Sequence, residues 1–226
     1  MLRVAARLVM DAALVATVLF AAAGTIAWGR AWVLLAALLA IRGVGAYAVH
    51  RVHPALVKER AGLPVHADQP RADRLLLFAV LATGFLGLPA VAGLDAFRWR
   101  LLPAPPPPVA AAGLVLFALG WGLKSVALRA NAFAAAVVRL QGERGHAVAD
   151  AGVYAVVRHP FYAADPLIHV GLGLWLGSWA AALAAAVPVG LMVARLRLEE
   201  QFLRRALPGY AEYAARVPHR LVPGVW

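Results

Sequence analysis

The sequence predicts an all-α protein, a polytopic helical bundle in a membrane with four spans and a C-terminal helical hairpin, five to six membrane helices in all. Three observations predict it. Of its 226 residues 63% are hydrophobic and only 15% charged, and the mean hydropathy is +0.75. Several stretches approach the roughly 20 apolar residues that cross a hydrocarbon core of about 30 Å. The basic residues gather between those stretches. Residues 1–226 read as a single membrane domain, because polar segments of at most about 35 residues are too short for a core of their own.

The spans are expected at about 12–29, 31–50, 75–94 and 109–127. Further spans follow the first, so it reads as a true helix and not as a cleaved leader. Asp11 stands four residues after Arg7 and is expected to pair with it at the interface. Arg42 interrupts the second apolar run. It must either snorkel to the interface or line a cavity, because lipid does not solvate a guanidinium cheaply. His50 and His53 share a spacing that ligates metals, yet Pro54 follows and no carboxylate is near, so a structural role is preferred and no metal site is expected. Pro103 to Pro108 reads PAPPPP, a stiff extended connector.

After the fourth span, periodicity gives way to glycine and charge through Gly152-Val-Tyr154 to Arg158-His159-Pro160-Phe161-Tyr162. Pro160 argues against a regular helix there, and the residue before a proline is pushed toward extended backbone. His159, Phe161 and Tyr162 are therefore expected as a fixed non-helical array, with the next helix starting at Asp165-Pro166 as cap and first residue. The apolar stretch 164–194 is long enough to cross twice and carries the turn signal Gly177-Ser178-Trp179 at its centre. Gly171, Gly173 and Gly177 lie in apolar helix with no preceding strand, so close helix packing is the reading, not a nucleotide loop. Beyond the hairpin, Arg195 with Glu199 and Glu200 with Arg204 are spaced to share helix faces.

A formal charge of +11 would suit nucleic acid, but its distribution follows topology. The positive-inside rule puts both termini and the segments 51–74, 128–163 and 195–226 in the cytoplasm. Membrane lipids are the expected partners, nucleic acid is not, and the Ala-, Leu- and Arg-rich composition suggests a bacterial inner membrane. With no cysteine, disulfides, thiolate nucleophiles and zinc-thiolate sites are excluded. The two polar segments flanking the hairpin fall on the same face and can build one site.

The segments GVYAVVRHPFY and EEQFL, with the tail GYAEYAARVPHRLVPG, resemble the isoprenylcysteine carboxyl methyltransferase family and its relatives among phospholipid methyltransferases. The resemblance is carried by residues 128–226, with weaker similarity in NAFAAAVVRLQ and in HPALVKER at 53 to 60. It implies S-adenosylmethionine as cofactor, a cytoplasmic cofactor site, and a lipophilic small-molecule or lipidated acceptor. By position, Gln141, His146, Ala147, Val148, Ala149, Tyr154, His159, Pro160, Phe161, Tyr162 and Glu199 match the cofactor-contacting positions. Arg195 matches the position that meets the substrate, and Arg195 and His159 are the candidate catalytic residues. The family often has glycine where this chain has Ala164.

Those residue types suit the chemistry. A sulfonium and an ammonium call for a carboxylate such as Glu199 and for aromatic faces such as Tyr154 or Tyr162. Methyl transfer is an in-line displacement that needs positioning and exclusion of water. A carboxylate acceptor is already ionised and needs no base; Arg195 would orient it. An amine or hydroxyl acceptor needs a base, for which His159 or Glu200 are the candidates. The favoured expectation is carboxyl O-methylation of an isoprenylcysteine-like acid. The alternatives are phospholipid headgroup N-methylation, a non-catalytic lipid-binding protein, and a nicotinamide-dependent reductase.

Overall fold

The computed structural model describes residues 1–62, 69–135 and 145–226, which are helical with no strand among them. Among the described residues five helical segments are long and apolar enough to cross a membrane: Leu2–Ala23, Gly29–His50, Arg71–Trp99, Pro107–Ala130 and Trp179–Ala206. The protein is an integral membrane helical bundle.

Helix α1 (Leu2–Ala23) begins ahead of the expected first span and stops earlier. Gly24 adopts φ 73° there and returns its N–H to the Phe20 carbonyl, a left-handed cap that residues with a Cβ rarely adopt. Helix α2 (Gly29–His50) matches its expected bounds, and the short α3 (Pro54–Arg60) starts on Pro54. The third span combines α4 (Arg71–Leu81) and α5 (Leu88–Leu94), with π-helical turns at Ala82–Gly87 and Asp95–Trp99. Gly84 lies in the first of these wide turns, where a Cβ would sit 2.7 Å from His169 Nε2. Helix α6 (Pro107–Ala130) begins inside the proline run, so only its first part is an extended connector. Proline at the first helical positions has no N–H to leave unpaired.

Helix α7 (Pro160–Trp175) corrects the expectation of a non-helical array and of a start at Asp165. His159, with φ −129° and ψ 60°, is the flanking residue, and Pro160 opens the helix. Phe161 and Tyr162 therefore project from its first turn. Asp165 lies inside the helix, buried, with Oδ1 2.7 Å from Lys124 Nζ of α6. The expected hairpin turn is present: Gly177 has φ 87°, and the Ser178 hydroxyl caps α8 (Trp179–Ala184) by accepting from Ala181 N at 2.9 Å. The same hydroxyl donates to Asp95 at 2.6 Å, tying the hairpin tip to α5's end. Helices α9 (Ala186–Ala206) and α10 (Tyr210–Arg216) complete the chain.

The α6–α7 seam is built on small residues, as expected for Gly171. A Cβ on Gly171 would meet the Gly113 carbonyl at 2.5 Å, and one on Gly120 would meet the Ala164 carbonyl at 2.9 Å. These backbones pack in direct contact, the closest form of helix association in lipid. The core beside the seam is formed by Leu19, Leu34, Phe117, Ile168 and Leu172.

Candidate functional site

Two backbone hydrogen bonds fix the Arg158-His159 segment. Arg158 N donates to His219 O and His159 N to Arg220 O, each at 2.9 Å. The tail is thus paired against the segment that leads into α7. The Arg158 side chain is occupied too, donating to Val217 O at 2.6 Å and to Glu200 Oε1 at 2.7 Å. Glu200 also accepts from Arg204 at 3.1 Å, the expected helix-face pair, and from Arg220 at 2.5 Å. A carboxylate held by three guanidinium groups is a poor base.

His159 is buried, and loss of hydration pushes its imidazole below the ordinary range, with Arg158 and Arg220 adding to the effect against Glu199 and Glu200. It is therefore neutral at pH 7. The Tyr210 hydroxyl lies 3.4 Å from its Nε2. Tyr154, also buried, has its phenol pushed up to about 12 by burial. Its carbonyl accepts from the Tyr213 hydroxyl at 2.7 Å, so the tail tyrosines buttress the site from below.

The first turn of α7 meets α9 and α4 through a directed chain of donors. Arg195 Nε donates to Asp73 Oδ1 at 2.8 Å, Arg195 Nη1 to the Tyr162 hydroxyl at 2.6 Å, and that hydroxyl to Glu199 Oε2. Gln69 donates to the other Asp73 oxygen at 2.7 Å. Arg195 and Glu199 do share a face, as their spacing predicts, but Tyr162 bridges them. Asp73 was missed in the sequence, since its partner lies 122 positions away and nothing local marks it.

These groups open into one cavity of about 700 Å³. His146, Ala147, Val148, Ala149, Tyr154, His159, Phe161, Tyr162, Arg195 and Glu199 all line it. Pro160 is buried at the helix start and does not line it; Gln141 lies outside the described residues. The His146 ring stacks on Phe133, centroids 4.7 Å apart, to give one wall. From this polar end an apolar arm runs between the helices past Leu34, Leu38, Leu77, Phe85, Phe117 and Leu172. Arg42 lines the cavity as well, donating to Asp11 at 2.7 Å, while Asp11 keeps its expected pair with Arg7 at 2.9 Å.

The phospholipid methyltransferase family matches residues 109–208, the stretch from α6 to the end of α9. Protein-S-isoprenylcysteine O-methyltransferase B of Arabidopsis thaliana is 33% identical over 109 residues, 47% of this chain and 55% of that protein. The solved structure of the eukaryotic intramembrane Ras methyltransferase ICMT (isoprenylcysteine carboxyl methyltransferase) superposes with a TM-score of 0.55 over 95% of this chain and 74% of that one, at 19% identity. The chain shares the fold of that methyltransferase and is similar to phospholipid methyltransferases over residues 109–208. The cobalt-zinc-cadmium resistance protein CzcN of Cupriavidus metallidurans is 36% identical over 80 residues, 35% of this chain and 37% of that protein. The match thus spans about a third to a half of the curated relatives' length. The matched stretch supplies Lys124, Tyr154, His159, Tyr162, Arg195 and Glu199 to the cavity, whereas the lining residues Arg42 and Arg60, and Asp73 that holds Arg195, come from outside it.

Proposed function

We propose that this protein transfers a methyl group from S-adenosylmethionine to a lipophilic acceptor in the membrane, most simply by O-methylation of an isoprenylcysteine-like carboxylate. One observation carries the reading: the described motif residues other than Pro160 converge on a single cavity that is polar at one end and apolar at the other. Such a cavity suits a charged cofactor and an apolar acceptor meeting end to end.

The donor set fits the cofactor. Glu199 offers a carboxylate to its ammonium and sulfonium, and the Tyr154 and Tyr162 rings offer faces to cationic or adenine groups. The buried neutral His159 offers a polar nitrogen, and the stretch His146 to Ala149 offers backbone groups. When bound, S-adenosylmethionine supplies the electrophilic methyl. The protein's own residues position and desolvate. Arg195 stands at the junction of the two ends, where it orients one oxygen of the acceptor; its bond to Asp73 tempers the cation, so the nucleophile is aimed without being neutralised. Tyr162 holds Arg195 and Glu199 in register. The apolar arm excludes water from the ionised acid, which needs no base. The basic residues around this end of the bundle support a cytoplasmic position for it.

A second reading is N-methylation of a phospholipid headgroup, favoured by the phospholipid methyltransferase match over residues 109–208. Neutral His159 would then take the amine proton.

Calorimetric binding of S-adenosylmethionine and, separately, NADPH to detergent-purified protein tests the reading, with Glu199→Gln and His159→Ala as controls. Selective binding of S-adenosylmethionine, weakened by both substitutions, is expected. Binding of neither ligand by folded protein would overturn the assignment and favour a lipid-binding role.

A further inference from the structure

Beyond the motif residues, the cavity wall alternates cations and aromatic rings drawn from four helices. The Arg60 guanidinium of α3 lies 4.7 Å from the Phe161 ring centre, and Lys124 Nζ of α6 lies 4.0 Å from the same ring. Lys124 Nζ is also 5.7 Å from the Trp121 ring, whose centre is 4.9 Å from the Arg42 guanidinium of α2. All five side chains line the cavity.

The charges on this wall do not cancel. Asp165 answers Lys124 at 2.7 Å, and Asp11 is shared by Arg42 at 2.7 Å and Arg7 at 2.9 Å. Arg60 donates to the Ala134 carbonyl at 2.7 Å and has no carboxylate within ion-pair distance among the described residues. Arg42 Nη1 is buried without a hydrogen-bond partner among them. Among the described residues, the cations Arg7, Arg42, Arg60 and Lys124 are thus answered by two carboxylates, Asp11 and Asp165. Aromatic faces stabilise a desolvated cation only by about 0.5–2 kcal/mol, less than its hydration. Burial draws the Arg60 guanidinium down to about 10, which leaves it charged at neutral pH. Arg195 already gives Nε to Asp73 and Nη1 to Tyr162, so the further cations of the wall share the work of holding an acid.

We infer that Arg60, Lys124 and Arg42 form the recognition site for the acidic headgroup of a lipid, carboxylate or phosphate, whose chain lies in the apolar arm. The site selects anionic lipids over neutral ones and brings the headgroup beside Arg195. It rests on the methyl-transfer reading only for naming the bound lipid as the acceptor.

The test uses the full chain in a neutral detergent and three probes with the same chain: oleic acid, 1-oleoyl lysophosphatidic acid and monoolein. Binding is followed by native mass spectrometry and S-adenosylmethionine affinity by calorimetry. At least one acid is expected to bind about tenfold more tightly than monoolein, the scale of a charge-assisted contact, and the tighter acid identifies the headgroup. Arg60→Gln is expected to abolish that preference while leaving the cofactor's affinity in place. Arg205→Gln, which removes an equal charge from the exposed end of α9, is expected to keep it. Should Arg60→Gln lack a cooperative melt, Arg42→Gln carries the same expectation. Equal binding of monoolein, an equal loss in Arg205→Gln, or loss of cofactor binding with lipid preference intact in Arg60→Gln would each overturn the inference. Failure to bind S-adenosylmethionine with acid preference retained would sink the methyl-transfer reading alone.

Discussion

Arg158 and Glu200 meet at 2.7 Å with only 2% and 5% of their side chains exposed, joining the segment that leads into α7 to α9. Removing one partner strands the other charge, which in buried pairs costs about 3–5 kcal/mol. Glu200→Ala is expected to lower the thermal midpoint in detergent sharply and to reduce folded yield. Wild-type stability in that variant would show the pair to be dispensable.

Tyr162→Phe keeps the ring against Phe161 and His159 and removes only the hydroxyl between Arg195 and Glu199. The melting temperature should change little. Affinity for S-adenosylmethionine should fall about tenfold, because Glu199 and Arg195 lose their common anchor. Calorimetry checks this, and unchanged affinity would mean that the hydroxyl does not order the site.

Protonation of His159 couples stability to pH in a defined direction. Burial holds its folded pKa below the ordinary value, while the unfolded chain titrates near about 6.5. Below about pH 6.5 the unfolded state therefore binds more protons, and this residue's contribution to stability declines until the folded pKa is passed. Above that range it contributes no slope. Melting from about pH 8 to about pH 5 should show a decline that is shallower in His159→Gln; parallel profiles would contradict it.

Gly171→Ala places a methyl 2.5 Å from the Gly113 carbonyl and 2.6 Å from Phe117 N, both backbone atoms that cannot swing aside. Overpacking of this kind costs about 1–3 kcal/mol or more. The variant should melt earlier than wild type, whereas Gly190→Ala, where no atom lies within 4 Å of the added Cβ, should not.

Local signals were legible and distant ones were not. Gly177-Ser178-Trp179 announced its turn because a glycine suited to positive φ and a serine cap act within a few residues. Arg195 and Glu199 announced a shared face because helical spacing is local. The start of α7 was misread because two prolines, Pro160 and Pro166, both suit a first turn; the choice depends on the distant Lys124, which takes Asp165 into the bundle. Arg42 left two readings open, and only the placement of α1 and α6 beside α2 supplied Asp11 and Trp121 to hold it in the cavity. Asp73 carried no signal, since its bond to Arg195 spans 122 positions.

The backbone pairing of Arg158 and His159 with His219 and Arg220 also orders events during synthesis. A nascent chain can insert its apolar helices while residues 219 and 220 are still inside the ribosome, but the pocket around His159 has no floor until they emerge. Fixing of the Arg158-His159 segment therefore follows insertion of the bundle, and a polypeptide stalled before those residues would be membrane-integrated yet lack the backbone pairing that holds His159 in place.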